Sequence, residues 1–96
     1  MPVDIINMTE YCLFTFATTS YALKAEKELK TAQAIFVVVP TLREISSSCG
    51  LSVKLPCENR EDYLNILNTK GVKVDRIYDV KKVGKKNQVT VLESWL

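Results

Sequence analysis

Two apolar, strand-like runs flank a helical pattern in the first forty residues, and this order restricts the fold more than any other feature. Residues 11–16 (YCLFTF) and 34–39 (AIFVVV) are rich in the aromatic and β-branched residues that favour strands. Between them, in residues 21–33, alanine and leucine recur at spacings of three and four, the period of an amphipathic helix. Pro40 ends the second run. The pattern predicts a β-α-β unit.

The second half of the chain repeats this order. Residues 51–55 alternate apolar and polar side chains, which predicts a third strand. Asn59 is a candidate N-cap of a second helix, with Asp62 placed three residues later as in a capping box. Gly71 is suited to the position just after that helix, and residues 74–80 predict a fourth strand.

The order β-α-β-β-α-β is typical of the ferredoxin-like α+β sandwich, in which two helices cover one face of an antiparallel sheet. We expect a single domain, 1–96, with its core at about 10–80 and a C-terminal extension at about 81–96, because 96 residues are too few for two cores. The lysine-rich segment 81–86 predicts a solvated turn around Gly84, and residues 88–93 predict an extra C-terminal strand.

The first two strands are apolar on both faces, whereas an isolated ferredoxin-like sheet has helices on one face and water on the other. Something should therefore cover the second face. We expect a homodimer, packed sheet to sheet or through the tail that ends in Trp95 and Leu96.

Composition excludes several classes of partner and of catalytic site. Thirteen basic and eleven acidic residues leave a net charge of only +2, which gives no argument for nucleic acid or membrane partners. The sequence contains no histidine, which excludes Ser/His and Cys/His nucleophile pairs. The start of the sequence does not resemble a signal peptide, and the longest apolar run, 34–39, is far below the ~20 residues of a membrane helix. We expect a cytoplasmic protein.

The segment 40–50, PTLREISSSCG, is the most informative motif. Three serines, a cysteine and a glycine in series predict a loop with many hydrogen-bond donors. A cation and aligned donors stabilise a thiolate, and a glycine leaves room for a turn and for access to the sulfur. The candidate site consists of the thiol of Cys49 and the supporting residues Arg43, Ser46, Ser47, Ser48 and Gly50.

Simpler interpretations remain open. Cys49 could be a small buried residue entering the third strand, and Arg43 could be neutralised by Glu44. Cys57 could act as a resolving thiol, although an ordinary half-buried cysteine is the better interpretation, and Cys12 should lie in the core. Three cysteines without a C-x-x-C pair indicate reduced thiols rather than a disulfide framework or a metal site.

Residues 40–51, together with FATTSYALKAE at 16–26, resemble the selenium/sulfur carrier-like family over about residues 11–80. The likeness is carried by a phenylalanine-ended strand, an Ala-Leu-x-x-Glu helix and a Pro-x-x-Arg-Glu-Ile-Ser-Ser-x-Cys-Gly loop. The resemblance implies that Cys49 holds sulfur or selenium as a persulfide or selenopersulfide and passes it on, with no metal or organic cofactor. It implies a cysteine desulfurase or a selenium-metabolism protein as partner.

The alternative is a ferredoxin-like binding module whose 43–50 loop docks a protein or a small anion, with Cys49 incidental. An enzyme with turnover of its own ranks third.

Overall fold

The chain forms five strands and two α-helices in the order β-α-β-β-α-β-β, in a computed structural model that describes residues 9–42, 45 and 50–94. This confirms the predicted α+β class and ferredoxin-like arrangement. The elements are β1 (Glu10–Thr15), α1 (Thr19–Thr31), β2 (Val37–Pro40), β3 (Leu51–Leu55), a short 3-10 helix (Cys57–Asn59), α2 (Arg60–Thr69), β4 (Arg76–Val83) and β5 (Lys86–Ser94).

The sheet is antiparallel with the strand order β2-β3-β1-β4-β5. β1 lies at its centre, since Cys12 is paired with Leu55 on one side and Asp79 on the other. The extra strand predicted at 88–93 is present as β5. The turn predicted at 81–86 is shorter, because β4 continues to Val83 and Gly84 makes a tight connection at a φ of 62°.

The two helices begin differently. Thr18 has extended backbone angles, and its side-chain oxygen accepts a hydrogen bond from the amide of Tyr21 (3.3 Å), as an N-cap should. The capping box predicted at Asn59 and Asp62 is wrong, because Asn59 makes no side-chain cap hydrogen bond. Asn59 already belongs to the 3-10 helix that precedes α2, so it lacks the extended conformation that a capping side chain needs. Gly71 follows α2 with a φ of 74°, as predicted.

The main core fills the space between the sheet and the two helices. Phe14 and Phe16 contribute the largest aromatic side chains from the β1 side, while α1 and α2 contribute Leu29 and Leu67. Because successive residues of a strand point to opposite faces, Cys12 and Phe14 face this core and Tyr11 and Leu13 face the other way.

The second face of the sheet carries a smaller apolar cluster. Its buried members are Tyr11, Leu13, Ile45, Tyr78 and Val80, with Val39, Leu42 and Val89 packed around them. Ile45 and Leu42 come from the segment between β2 and β3, so the chain itself contributes cover to a face for which we expected a second copy. The sequence argument for a homodimer through this face therefore loses its premise, and Trp95 and Leu96 lie outside the described residues.

Candidate functional site

The segment 41–50 begins and ends at adjacent strands. Pro40 at the end of β2 is paired with Leu51 at the start of β3, and the amide of Thr41 donates to the carbonyl of Gly50 (3.0 Å). The hydroxyls of Thr41 and Ser52 lie 2.8 Å apart and share a hydrogen bond. Both ends of the candidate loop are thus fixed by the β2–β3 pair.

The middle of the loop is fixed by an apolar anchor. Ile45 is only 6% exposed and packs with Leu13, Tyr78 and Val80 on the second face of the sheet. Its amide donates to the carbonyl of Leu42 (3.0 Å), which also packs on this cluster. Ile45 therefore ties the loop to β1, which is the neighbour of β3 in the sheet, and to β4, which is the next strand beyond it.

Most of the predicted site residues fall outside the described part of the chain: Arg43, Ser46, Ser47, Ser48 and Cys49. Gly50 is described and is exposed, and no atom of the described residues lies within 4 Å of the position that a Cβ would take. Its φ lies outside the left-handed region, so the turn there does not require glycine. The role expected of Gly50 beside Cys49 stays a prediction.

Polar side chains lie buried on the same face as the anchor. Ser52 and Thr15 are fully buried, and Lys54 is 9% exposed with its ammonium nitrogen 4.2 Å from the centre of the Tyr11 ring. An alternating strand such as β3 normally turns its polar residues to water. The sequence analysis did not predict these buried polar residues, although the apolar Leu42 and Ile45 in an otherwise polar loop indicate that the loop could cover this face of the sheet.

A second cation lies on β4. The guanidinium of Arg76 is hydrogen-bonded to the side chain of Tyr78, which raises the pKa of Arg76, and its backbone carbonyl accepts from the Thr15 hydroxyl (3.4 Å). Its buried Nε has no hydrogen-bond partner among the described residues. Together, Lys54 and Arg76 give the loop-covered face a positive character.

The two described cysteines lie elsewhere. Cys12 is fully buried, which confirms its predicted place in the core, and Cys57 is half-buried at the start of the 3-10 helix. Both belong to the helix-covered side of the sheet. Within the described residues no group of three or more Cys, Asp or Glu side chains could hold a metal ion.

A separate cleft of about 420 Å³ opens on the helix-covered side, which is a size that small ligands use. It is lined by Ala17, Tyr21, Leu64, Asn68, Lys73, Val74 and Asp75. Neither Leu42, Ile45 nor Gly50 contributes to it, so the cleft is separate from the described part of the 41–50 segment.

The fold and the tethered loop define a small ferredoxin-like α+β protein with a cysteine-containing β2–β3 connection. The chain belongs to the family described as "Putative Se/S carrier protein-like", whose sequence profile matches residues 11–79. The match spans β1 to β4 and includes the whole 41–50 segment, whereas β5 lies beyond it. Comparisons with curated proteins and with solved structures returned no match. In the described residues, no helix is long and apolar enough to cross a membrane.

Proposed function

We propose that this chain is a carrier that holds sulfur or selenium on Cys49 as a persulfide or selenopersulfide and delivers it to a partner protein. The observation that carries the proposal is the family match over residues 11–79, which includes Cys49 and the loop around it. The fixed ends of the loop and the anchor at Ile45 support it, because a transfer group works best when its backbone is held by rigid elements.

The transfer is a simple exchange of sulfur. The thiolate of Cys49 attacks the outer sulfur of a persulfide on the donor, the S–S bond of the donor breaks, and the donor cysteine leaves as a thiolate. Cys49 then carries the S–SH group, and the same exchange in the next step passes it on. No electron acceptor is required, since one S–S bond replaces another. A cysteine desulfurase, or a selenium-metabolism protein for selenium, is the donor class that such chemistry needs.

The other loop residues have supporting roles in this proposal. Arg43 offsets the negative charge of the thiolate and the persulfide, the hydroxyls of Ser46, Ser47 and Ser48 donate hydrogen bonds to it, and Gly50 leaves the approach open. The exposed position of Gly50 and the empty space at its Cβ position support the last of these roles.

The experiment is the intact mass of the purified protein after incubation with a cysteine desulfurase and free cysteine. We expect a gain of one sulfur atom that a reductant reverses, retained in Cys57→Ser and lost in Cys49→Ser. The Cys57→Ser variant is the matched control, because it also removes one solvent-accessible thiol. Equal adducts on both variants, or none on the unchanged protein, would instead favour a binding module in which Cys49 is incidental.

A homodimer in the cytoplasm is the second part of the proposal. Leu13, Tyr78 and Val80 are already buried within one chain, whereas β5 exposes two apolar side chains, with Val91 54% and Leu92 37% exposed. β5 is also an edge strand in the described sheet, which leaves it free to pair with another strand. Light scattering checks this directly, with Val91→Lys expected to convert a dimeric mass into a monomeric one.

A further inference from the structure

Two cysteines that are 45 positions apart in sequence (57 − 12) meet on the helix-covered side of the sheet. Cys12 lies in the central strand β1, directly opposite Leu55 of β3. The chain continues from Leu55 through Pro56 into the 3-10 helix, which brings Cys57 back over β1. The half-buried Cys57 packs against the core cluster that contains Cys12.

A carboxylate completes this cluster. Asp79 of β4 is the register partner of Cys12 on the other side of β1, so both side chains point to the same face. The thiol of Cys57 donates to the Oδ1 of Asp79 with a sulfur–oxygen distance of 3.8 Å. Burial raises the pKa of Cys12, and the positive charge of Arg60, at the start of α2, acts in the opposite direction. Three elements of the fold and the start of α2 therefore converge on the two sulfur atoms.

The cluster is independent of the 41–50 segment. Cys12 and Cys57 lie on the side of the sheet that carries the helices, whereas Leu42 and Ile45 pack on the opposite face. The interpretation of Cys57 as a lone half-buried cysteine misses its contact with Cys12, since nothing in the spacing of the cysteines indicates that contact.

We propose that Cys12 and Cys57 form a second, redox-active site, which a low-molecular-weight disulfide oxidises to an intramolecular disulfide. Cys57 reacts first because it is the more accessible thiol. Cys57 gives its proton to the hydrogen-bonded Asp79, its sulfur attacks the small disulfide, and the small thiolate that leaves takes the proton from Asp79, giving a mixed disulfide on Cys57. Cys12 then loses its proton and attacks the Cys57 sulfur, and the second small thiolate leaves and takes up that proton. The protein loses two electrons and two protons in total, and the small disulfide becomes two thiols.

The surroundings explain why the pair is reduced at rest. Burial raises the pKa of both thiols. The pKa of Cys57 is raised further by the neighbouring Cys12 and by the carboxylates of Asp79 and Glu10. Arg60 and the contact with Cys57 act in the opposite direction on Cys12. Thiols that stay protonated react slowly with adventitious oxidants, so oxidation requires a sustained excess of the small disulfide. The same destabilised thiolates make poor leaving groups, which favours a disulfide that persists once formed.

The test uses the full chain carrying Cys49→Ser, so that its result does not depend on the carrier proposal. The protein is incubated with oxidised glutathione and its intact mass and non-reduced peptide map are recorded. We expect the loss of two hydrogen atoms and one cross-linked peptide pair that contains Cys12 and Cys57, both reversed by a reductant. Removal of the resolving thiol in Cys12→Ala should instead trap a glutathione adduct on Cys57, and Cys57→Ala should give neither product.

Folding controls keep the outcome decisive. Circular dichroism establishes that each variant is folded, and Cys12→Ser replaces Cys12→Ala if the smaller side chain destabilises the core. The cross-link itself is measured in a protein with both core cysteines intact, so it needs no core substitution. The proposal would be overturned if the folded Cys49→Ser protein kept both thiols, or formed only glutathione adducts, while the same chain formed the cross-link in urea.

Discussion

Replacing Ile45 by alanine should release the 41–50 segment from the sheet at a cost that the structure defines. The side chain is 6% exposed, and the substitution removes three carbons. At about 0.8 kcal/mol for each buried methylene, the lost transfer free energy is about 2.4 kcal/mol. A rigid core would add a cavity term, but a loop can move into the space, so we expect about 2–3 kcal/mol rather than the upper end of the range for such changes.

Chemical and thermal unfolding measure this loss. The total stability of a domain of this size is about 5–14 kcal/mol, so the variant should still fold. The expected fall in Tm is about 10–20 °C. Ile45→Val, which removes one carbon, should cost about 0.5–1.5 kcal/mol. A matched control is Leu29→Ala, because this fully buried residue of α1 lies in the other cluster.

The two substitutions should differ in their effect on Cys49. Alkylation of that thiol, followed at the peptide level at neutral pH, should change in rate in Ile45→Ala and remain the same in Leu29→Ala, since only the first loosens the loop. If Ile45→Ala alters the free energy of unfolding by less than about 0.5 kcal/mol, as exposed positions do, Ile45 is not an anchor and the reasoning fails. Equal alkylation changes in both variants would attribute the effect to general loss of stability.

Four further outcomes follow from described contacts. Thr18→Ala should lower the free energy of unfolding by about 1 kcal/mol, because the cap of α1 is lost; no loss in urea unfolding would contradict the observed hydrogen bond. Tyr63→Phe should cost about 1–2 kcal/mol by leaving the amide of Ile35 without its 2.8 Å acceptor, again read by urea unfolding. The free energy of unfolding should fall from about pH 9 upward, because burial raises the pKa of Cys12 and Cys57 above 9.0 in the folded chain and the unfolded chain therefore ionises first. A Cys12→Ala/Cys57→Ala variant should show a shallower fall. Oxidation of this pair should add about 2–4 kcal/mol by closing a loop of 45 residues (57 − 12), and an unchanged Tm would contradict an unstrained disulfide.

The local patterns of the sequence predict the order and type of the elements well, since period and turn residues act over short distances. The bounds of β3 agree with the prediction at both ends, and β5 is present where alternation predicts it. The capping box at Asn59 fails because a 3-10 helix, which the sequence does not distinguish from the first turn of α2, already includes that residue.

The surroundings of the site depend on contacts between distant segments, and these are the part that the sequence does not specify. Lys54 is buried and lies over the ring of Tyr11 on the neighbouring strand, a contact that no local pattern encodes. The meeting of Cys12 with Cys57 likewise depends on the register of β1 and β3. The homodimer stays a prediction, but the count of apolar faces on which it rested did not include the cover that Leu42 and Ile45 of the same chain supply.

The central position of β1 has a consequence for synthesis on the ribosome. Arg76 of β4, which pairs with Thr15 of β1, follows it by 61 residues in the sequence, so β1 leaves the ribosome long before β4. At roughly 5–20 residues per second this delay is about 3–12 s, whereas a hairpin closes in about 1–10 μs once both strands exist. Throughout that interval a strand that is apolar on both faces has no partner on its β4 side. The nascent chain should therefore be a client of ribosome-associated chaperones. Charged substitutions at Tyr11 or Leu13 would raise the solubility of the nascent chain and lower the stability of the native fold.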